Sequence, residues 1–337
     1  MAGCAGPAAV AVSGGSDSLA LMHLLGGHAR AVGRPAPVVL TVDHGLRAGS
    51  AREAKQVACW AGKAGLKAHI LAWRGSKPKT GVEAAARAAR YRLMGAWLAK
   101  HGIATLFVGH TQDDQAETFL LRLARGSGLD GLAAMRARVP WPEPGFAGLA
   151  VARPLLGFSR AELRAFLEGI GQPWLDDPMN DDESFDRVRI RKAQDALAQA
   201  GLSPARIASA AAHLARARAA LETVTEAVLV RAARPQGEAV LLDPQALAAA
   251  PREVGLRALA AVLMQVSGHP YRPRFDALER LFDRIAAGGP GGGATLHGCH
   301  IGPAAKARAG SGARLLRVRP ESPRKTGGSV QRPQSDA

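Results

Sequence analysis

The chain has 337 residues, 47% of them hydrophobic, and its 44 Lys and Arg against 28 Asp and Glu leave a formal net charge of +16 and a pI near 10.9. That apolar fraction excludes a globally disordered chain, and no stretch approaches the roughly 18 uncharged apolar residues of a membrane span. Cys4, Cys59 and Cys299 are scattered without a CxxC pair, which argues against a disulfide framework, a zinc site and an iron–sulfur cluster.

In chain order, Ala8–Ser13 is a short apolar strand that breaks into Ser13-Gly14-Gly15-Ser16-Asp17-Ser18 before a helix over Ser18–Gly26. Strands follow at Val38–Asp43, His69–Trp73 and Leu106–Gly109, with a fifth at Ala150–Val151. Helical patterns lie between them at Ala51–Ala64, Val82–His101 and Asp113–Arg125. Apolar strands separated by helices predict an α/β domain whose parallel sheet is covered on both faces. Ligands of such sheets sit at the carboxyl ends of the strands. Ser159-Arg160-Ala161-Glu162 reads as a capping box opening a helix to about Ile170. An acidic loop from Asp176 to Asp186 then leads into the basic run Arg187, Arg189, Arg191, Lys192. Pro204 to about Arg234 reads as a long alanine-rich helix.

These patterns predict a catalytic α/β domain over 1–200, a helical linker over 201–236 and a small α+β domain over 237–320. The last has a strand at Ala239–Leu242, helices at Pro251–Val266 and Arg274–Ala287, a glycine turn at Gly288–Gly293, and strands at Ala294–Ile301 and Arg314–Val318. Residues 321–337 read as a disordered tail. The start of the chain lacks the charged n-region of a secretory leader, so the cytoplasm is the expected compartment and no membrane partner is expected. The positive charge favours polyanionic partners, nucleic acid first.

The first turn raises a chemical question. Backbone N–H groups over 13–18, with a helix N-terminus behind them, suit a phosphate, yet Asp17 would repel one. A Mg²⁺ ion between carboxylate and phosphate resolves the conflict. Asp17 as a plain helix cap is the other reading. Asp114 and Glu117 stand at i and i+3 on one helix face. Two carboxylates there suit a cationic amino acid, because a desolvated ammonium needs pairing. They also suit a helix N-terminus with no ligand at all. Arg87 with Arg90, and Arg122 with Arg125, share helix faces at i, i+3, and Arg187 with Arg191 does so at i, i+4. Each pair is either a solvated surface or a seat for an anion. Gly126-Ser127-Gly128-Leu129-Asp130-Gly131 fits GxGxxG but follows a helix instead of a strand, which argues against a dinucleotide site.

The turn closely resembles the SGGxDS signature of the PP-loop (N-type) ATP pyrophosphatases, which cleave ATP between its α and β phosphates. Further strings narrow the resemblance: Val42-Asp43-His44-Gly45-Leu46-Arg47, Ala86-Arg87-Ala88-Ala89-Arg90-Tyr91, the stretch from Gly109 to Thr118, the stretch from Leu121 to Leu132, Arg153-Pro154-Leu155-Leu156, then Trp174, Asp177 and Asn180. In this order and spacing they are similar to the tRNA(Ile)-lysidine synthetase family over roughly 8–195 and, more weakly, 205–318. Val188 departs from the family, which has asparagine after the arginine of the basic run. The resemblance implies ATP and Mg²⁺ as cofactors, and free L-lysine and the CAU-anticodon tRNA(Ile) as partners; a homodimer is also compatible. It gives Asp17, Asp114 and Arg187 as catalytic, and Asp17 as the metal ligand. Ser13, Gly14, Gly15, Ser16, Asp17, Ser18, His44, Arg90 and His110 would bind ATP. Asp114 and Glu117 would bind lysine, and Arg122, Arg125, Arg187 and Arg191 would bind tRNA. The alternatives are another PP-loop tRNA-modifying enzyme, such as a thiolase, and a catalytically silent tRNA-binding protein.

Overall fold

The computed structural model describes residues 6–176, 186–289, 291–308 and 314–321, without the side chains of residues 187 and 305–308. Asp177, Asn180, the Arg187 side chain, Cys4 and the tail beyond Glu321 therefore lie outside the described residues. The chain divides into two units, Met1–Arg216 and Ala217–Ala337. The division falls inside the long helix at 204–232, where the sequence reading puts it just before.

The first unit is built on a six-stranded sheet. Its strands are β1 (Ala9–Ala11), β2 (Val38–Asp43), β3 (Ala68–Ala72), β4 (Thr105–Phe107), β5 (Arg138–Pro140) and β6 (Ala150–Ala152). They lie in the order β3-β2-β1-β4-β6-β5, all parallel except β5, which runs antiparallel to β6. The helices between them are α1 (Ser16–Ala31), α2 (Ser50–Lys63), α3 (Val82–Lys100), α4 (Gln112–Ala124) and α5 (Leu129–Leu132). After β6 come α6 (Arg160–Gly169), α7 (Asp186–Lys192), α8 (Gln194–Gln199) and α9 (Pro204–Ala232), which runs into the second unit.

Alternation along β1 explains why both faces are covered. Val10 and Val12 join the core made with α1, α2 and α6, including Leu19, Met22, Val57 and Leu167. Ala9, packed with Tyr91, Met94 and Leu98 of α3 and Val151 of β6, belongs to the core of the other face. Successive side chains of a strand point to opposite faces, so a continuous apolar run is what a doubly covered strand requires. The strand order reverses between β1 and β4: the chain moves outward from β1 through β2 and β3, then returns to β4 on the other side. A crevice at the carboxyl ends of β1 and β4 is the expected ligand seat of such a sheet. The turn at 13–18 leaves β1 and the segment 108–112 leaves β4.

The second unit has an antiparallel sheet of β7 (Ala233–Gln236), β8 (Ala239–Leu242), β9 (Ala294–Leu296), β10 (Cys299–Arg308) and β11 (Arg314–Pro320), in the order β7-β8-β11-β10-β9. With α10 (Pro244–Ala248), α11 (Arg252–Ser267) and α12 (Phe275–Ala286) it encloses a core that includes Leu242, Leu259, Leu263, Ile285, Ile301 and Val318. The stretch expected as one strand over Ala294–Ile301 is a hairpin. Leu296 pairs with Cys299 across His297 and Gly298, both at positive φ, 56° and 71°. A two-residue loop with positive φ at both positions matches the twist of its strands. Among the described residues no helix is long and apolar enough to cross a membrane.

Candidate active site at the carboxyl ends of the sheet

The first turn is built as a tight cradle. Gly14 has φ +99°, and a Cβ on it would lie 2.7 Å from Leu175 Cδ1 and 3.2 Å from Val57 Cγ2. The positive φ favours glycine there, and a Cβ would also press on the Leu175 and Val57 side chains. Ser18 Oγ accepts from Ser13 N at 3.2 Å and donates to Gly15 O at 2.9 Å, which rounds the loop. Gly15 is the N-cap of α1 without any side-chain capping bond. Asp17 is therefore not the cap: its carboxylate accepts from Ser16 Oγ at 3.1 Å and from Arg160 Nε at 3.2 Å.

Gly109, just past β4, presses this turn against the next one. A Cβ there would meet the Asp17 carbonyl oxygen at 2.9 Å and Ser18 Cα at 3.1 Å, both backbone. Backbone cannot rotate aside as a side chain can. Gly109→Ala is expected to cost on the order of 1–3 kcal/mol by overpacking and to weaken ATP binding. Gly128→Ala, with nothing within 4 Å of its Cβ, is the control that leaves both almost unchanged. Thermal melting and ATP calorimetry on the two variants check this.

Beside the turn lies a cluster of carboxylates. Thr111 caps α4 in a reciprocal box: Asp114 Oδ2 accepts from Thr111 N at 2.8 Å and Thr111 Oγ1 accepts from Asp114 N at 3.3 Å. The helix-capping reading of Asp114 thus has its geometry, and its second oxygen Oδ1 faces Arg160 Nη2 at 3.7 Å. Glu117, a turn later, is completely buried. Arg191 of α7 reaches both its oxygens, Nε to Oε1 at 2.7 Å and Nη2 to Oε2 at 3.3 Å, and Arg160 Nη2 stands 3.5 Å from Oε1. Asp113 accepts from the Arg160 backbone N–H at 2.7 Å, tying the start of α6 to α4. Burial raises the Asp17 pKa, Arg160 pulls it back, and the charge of Asp114 adds to the rise. Burial works against the charge on Arg160, but Asp17, Glu117 and Asp114 outweigh it and hold its pKa above the ordinary value.

On the other flank arginines meet histidines. His44 after β2 meets Arg90 of α3, Nε2 to Nη2 at 3.3 Å, and His110 after β4 accepts from Arg153 Nε at 3.3 Å through Nδ1. Arg87 caps the Tyr91 ring at 5.1 Å and contributes its charge at both Arg90 and Arg153. With Nε2 accepting from Arg90, the proton of neutral His44 sits on Nδ1. That atom is buried and has no partner among the described residues. A buried unsatisfied donor costs about 1–3 kcal/mol, which a nucleotide acceptor would relieve.

Burial, then the Arg90 cation, lowers the His44 pKa to about 4. A folded value below the unfolded 6.5 means the unfolded chain binds the extra proton first. Stability is therefore untouched above about pH 6.5 and falls as the pH drops from 6.5 towards 4. His44→Gln should melt with a smaller loss between pH 7 and pH 5 than wild type. An equal loss in both proteins would remove His44 from this linkage.

The arginines read as RNA contacts have internal partners as well. Arg122 Nη1 donates to Gly131 O at 2.7 Å, and Arg125 pairs with Asp186 at 2.9 Å. Together with Arg191 on Glu117 and the buried Val188, Arg125 holds α7 against α4. Val188 accordingly has a packing role where asparagine would carry a polar group. Arg153 and Arg160 are the site residues that sequence reasoning left without a role. Arg160 is separated from Asp17 by 143 positions. The one local signal was a cation opening a helix, against the helix dipole.

Oxygen ligands at the β1–β4 crevice suit a hard cation. Among the described residues no three His, Cys, Asp or Glu side chains form a metal cage. Mg²⁺ needs none, since one or two carboxylates with phosphate oxygens and water complete its shell. Asp17, with Asp114 beside it, fits that requirement.

Residues 5–195 match the family model of the PP-loop domain. The chain is 45% identical over 307 residues to a tRNA(Ile)-lysidine synthase of Methylobacterium nodulans, covering 88% of each chain. It is 40% identical to the tRNA(Ile)-lysidine synthase of a Bradyrhizobium species, over 95% of this chain and 91% of that one. Ruegeria pomeroyi has a longer relative of the same name, 42% identical, of which 64% is covered. Among solved structures, the U34-tRNA thiolase NcsA of Methanococcus maripaludis superposes with a TM-score of 0.50 at 16% identity, over 62% of this chain and 72% of that one. This last likeness concerns the fold alone.

Proposed function

This chain belongs to the tRNA(Ile)-lysidine synthase family, and we propose that it joins free L-lysine to the wobble cytidine of the CAU-anticodon tRNA(Ile) at the expense of ATP. The observation that carries this reading is the meeting, at the β1–β4 crevice, of a tight glycine-rich backbone turn with a cluster of carboxylates: Asp17 from one loop, half-buried Asp114 and fully buried Glu117 from the other. The first suits a triphosphate and the second an amine.

In this reading the N–H groups of residues 14–18 hold the phosphates of ATP, with the α1 N-terminus behind them. His44 donates from Nδ1, and Arg90 and His110 flank the nucleotide. The cytosine 2-oxo oxygen attacks the α-phosphorus, the bond to the bridging oxygen breaks, and pyrophosphate leaves. A lysine amine then attacks the activated carbon, its proton is lost, and AMP departs with the former oxo oxygen. Mg²⁺, when bound, supplies positive charge at the phosphate oxygens. Asp17 would hold it. Asp114 and Glu117 orient the lysine ammonium groups by charge-assisted hydrogen bonds. Arg122, Arg125, Arg187 and Arg191 lie along α4 and α7, and this basic stretch is the proposed RNA contact, together with the small domain at 237–320.

Mass spectrometry of nucleosides from a CAU-anticodon tRNA incubated with the protein, ATP, Mg²⁺ and lysine tests the proposal. Lysidine should form only when all are present. Pyrophosphate release without any lysine entering the RNA would favour a different PP-loop modification. RNA binding with no ATP turnover would favour a silent binding protein.

A further inference from the structure

Two guanidiniums contact three carboxylates at this site. Arg160 lies against Asp17, Asp114 and Glu117, and its backbone N–H bonds Asp113; Arg191 lies against Glu117. The two arginines are held differently. Arg191 forks onto both oxygens of one carboxylate at 2.7 and 3.3 Å, the geometry of a strong directed pair. Among the described residues the Arg160 guanidinium makes one contact of hydrogen-bond length, 3.2 Å to Asp17, and is otherwise shared at 3.5 and 3.7 Å between Glu117 and Asp114. It is moreover the first residue of α6, where a positive charge opposes the helix dipole. Its position is owed to the carboxylates and not to its own helix.

Resting on the reading of Asp114 and Glu117 as the lysine seat, we propose that Arg160 is an internal stand-in for the substrate cation. Before loading, its guanidinium holds the carboxylates of both loops together and limits their repulsion. As the lysine ammonium arrives, Arg160 gives up Asp114 and Glu117, while Arg191 keeps Glu117 in place. Arg160 is therefore a positioning residue that sets lysine affinity by competition. A long, flexible side chain loosely shared among three acceptors is suited to yield; the two-pronged Arg191 pair is not. The consequence runs opposite to that of an ordinary binding residue: its removal should tighten the substrate.

The test uses the full chain as wild type, Arg160→Gln and Glu117→Gln. L-lysine is titrated calorimetrically without ATP or tRNA, and the lysine KM and kcat are measured separately in the complete reaction. Arg160→Gln should bind lysine about tenfold more tightly, the scale of one charge-assisted contact removed from competition, and its lysine KM should fall while its melting temperature drops. A purely structural arginine would lower the melting temperature without lowering KM. If Glu117→Gln weakens lysine use and Arg160→Gln leaves it unchanged or weakens it too, the stand-in idea is overturned while the lysine seat survives. If Glu117→Gln leaves lysine use unchanged, the seat itself is wrong and the stand-in falls with it. Should Arg160→Gln fail to fold, Arg160→Lys carries the test. Its point charge cannot span three carboxylates, so a smaller fall in KM is expected, and an unchanged or raised KM overturns the proposal.

Discussion

Asp17→Asn should reduce ATP-dependent pyrophosphate release by about 10²–10³-fold, the scale on which one preorganised charge-stabilising group matters, while tRNA affinity stays near wild type. The substitution keeps the side chain's shape and its bond with Ser16, so the cradle at 13–18 persists. What it removes is the negative charge at the mouth of that cradle. Two losses follow. A hard cation loses an anionic ligand, and the Arg160 guanidinium loses its shortest contact. The α1 cap is unaffected, because Gly15 holds that position and the Asp17 side chain makes no capping bond. A modest change in melting temperature is therefore compatible with a large change in rate. Measuring AMP formation and RNA binding on the same preparation separates the two, and near-normal AMP production would remove Asp17 from the chemistry.

The parallel strands were legible because each is a compact apolar run, and β2 falls at the very residues its pattern predicts, Val38–Asp43. Two of the edge strands were not. Arg138–Pro140 and Ala233–Gln236 carry Arg, Pro and Gln, and are strands because β6 and β8 supply hydrogen-bonding partners. Their conformation is imposed from outside, and local propensity gives no warning. Helix α1 runs on to Ala31 through Gly26 and Gly27, where the pattern suggested a stop. Gly26 packs closely against Leu66, so tertiary contact overrides the weak helix preference of glycine. At the site, residues in one loop could be read together, since 13–18 and 110–117 are contiguous strings. Pairings between distant segments could not. That Glu117 would be met by Arg191 and Asp17 by Arg160 depends on the β1–β4 reversal, a property of the assembled sheet.

Glu117→Gln is expected to raise the lysine KM by roughly ten- to 150-fold, corresponding to the 1.5–3 kcal/mol of a charge-assisted hydrogen bond. ATP binding should stay near wild type. The burial of Glu117 sharpens the expectation and also complicates it. Its carboxylate has no solvent contact, while Arg191 and Arg160 retain 28% and 19% exposure. Neutralising it takes one anionic partner from two guanidiniums that can still reach water, so the cost in stability should lie below the ~3–5 kcal/mol of a fully buried pair broken from one side. A lowered melting temperature is thus expected and carries no information about lysine. Discrimination comes from titrating lysine and Mg²⁺ separately. A residue that only supports α4 and α7 would lower the melting temperature with lysine KM unchanged. A residue that holds the metal would shift the Mg²⁺ dependence and leave the lysine dependence alone. A lysine ligand raises the KM for lysine, and if lysine enters after adenylation, adenylated tRNA should accumulate in the variant. An unchanged lysine KM would leave Glu117 as the post on which Arg191 hangs α7, and the amine would have to be received elsewhere.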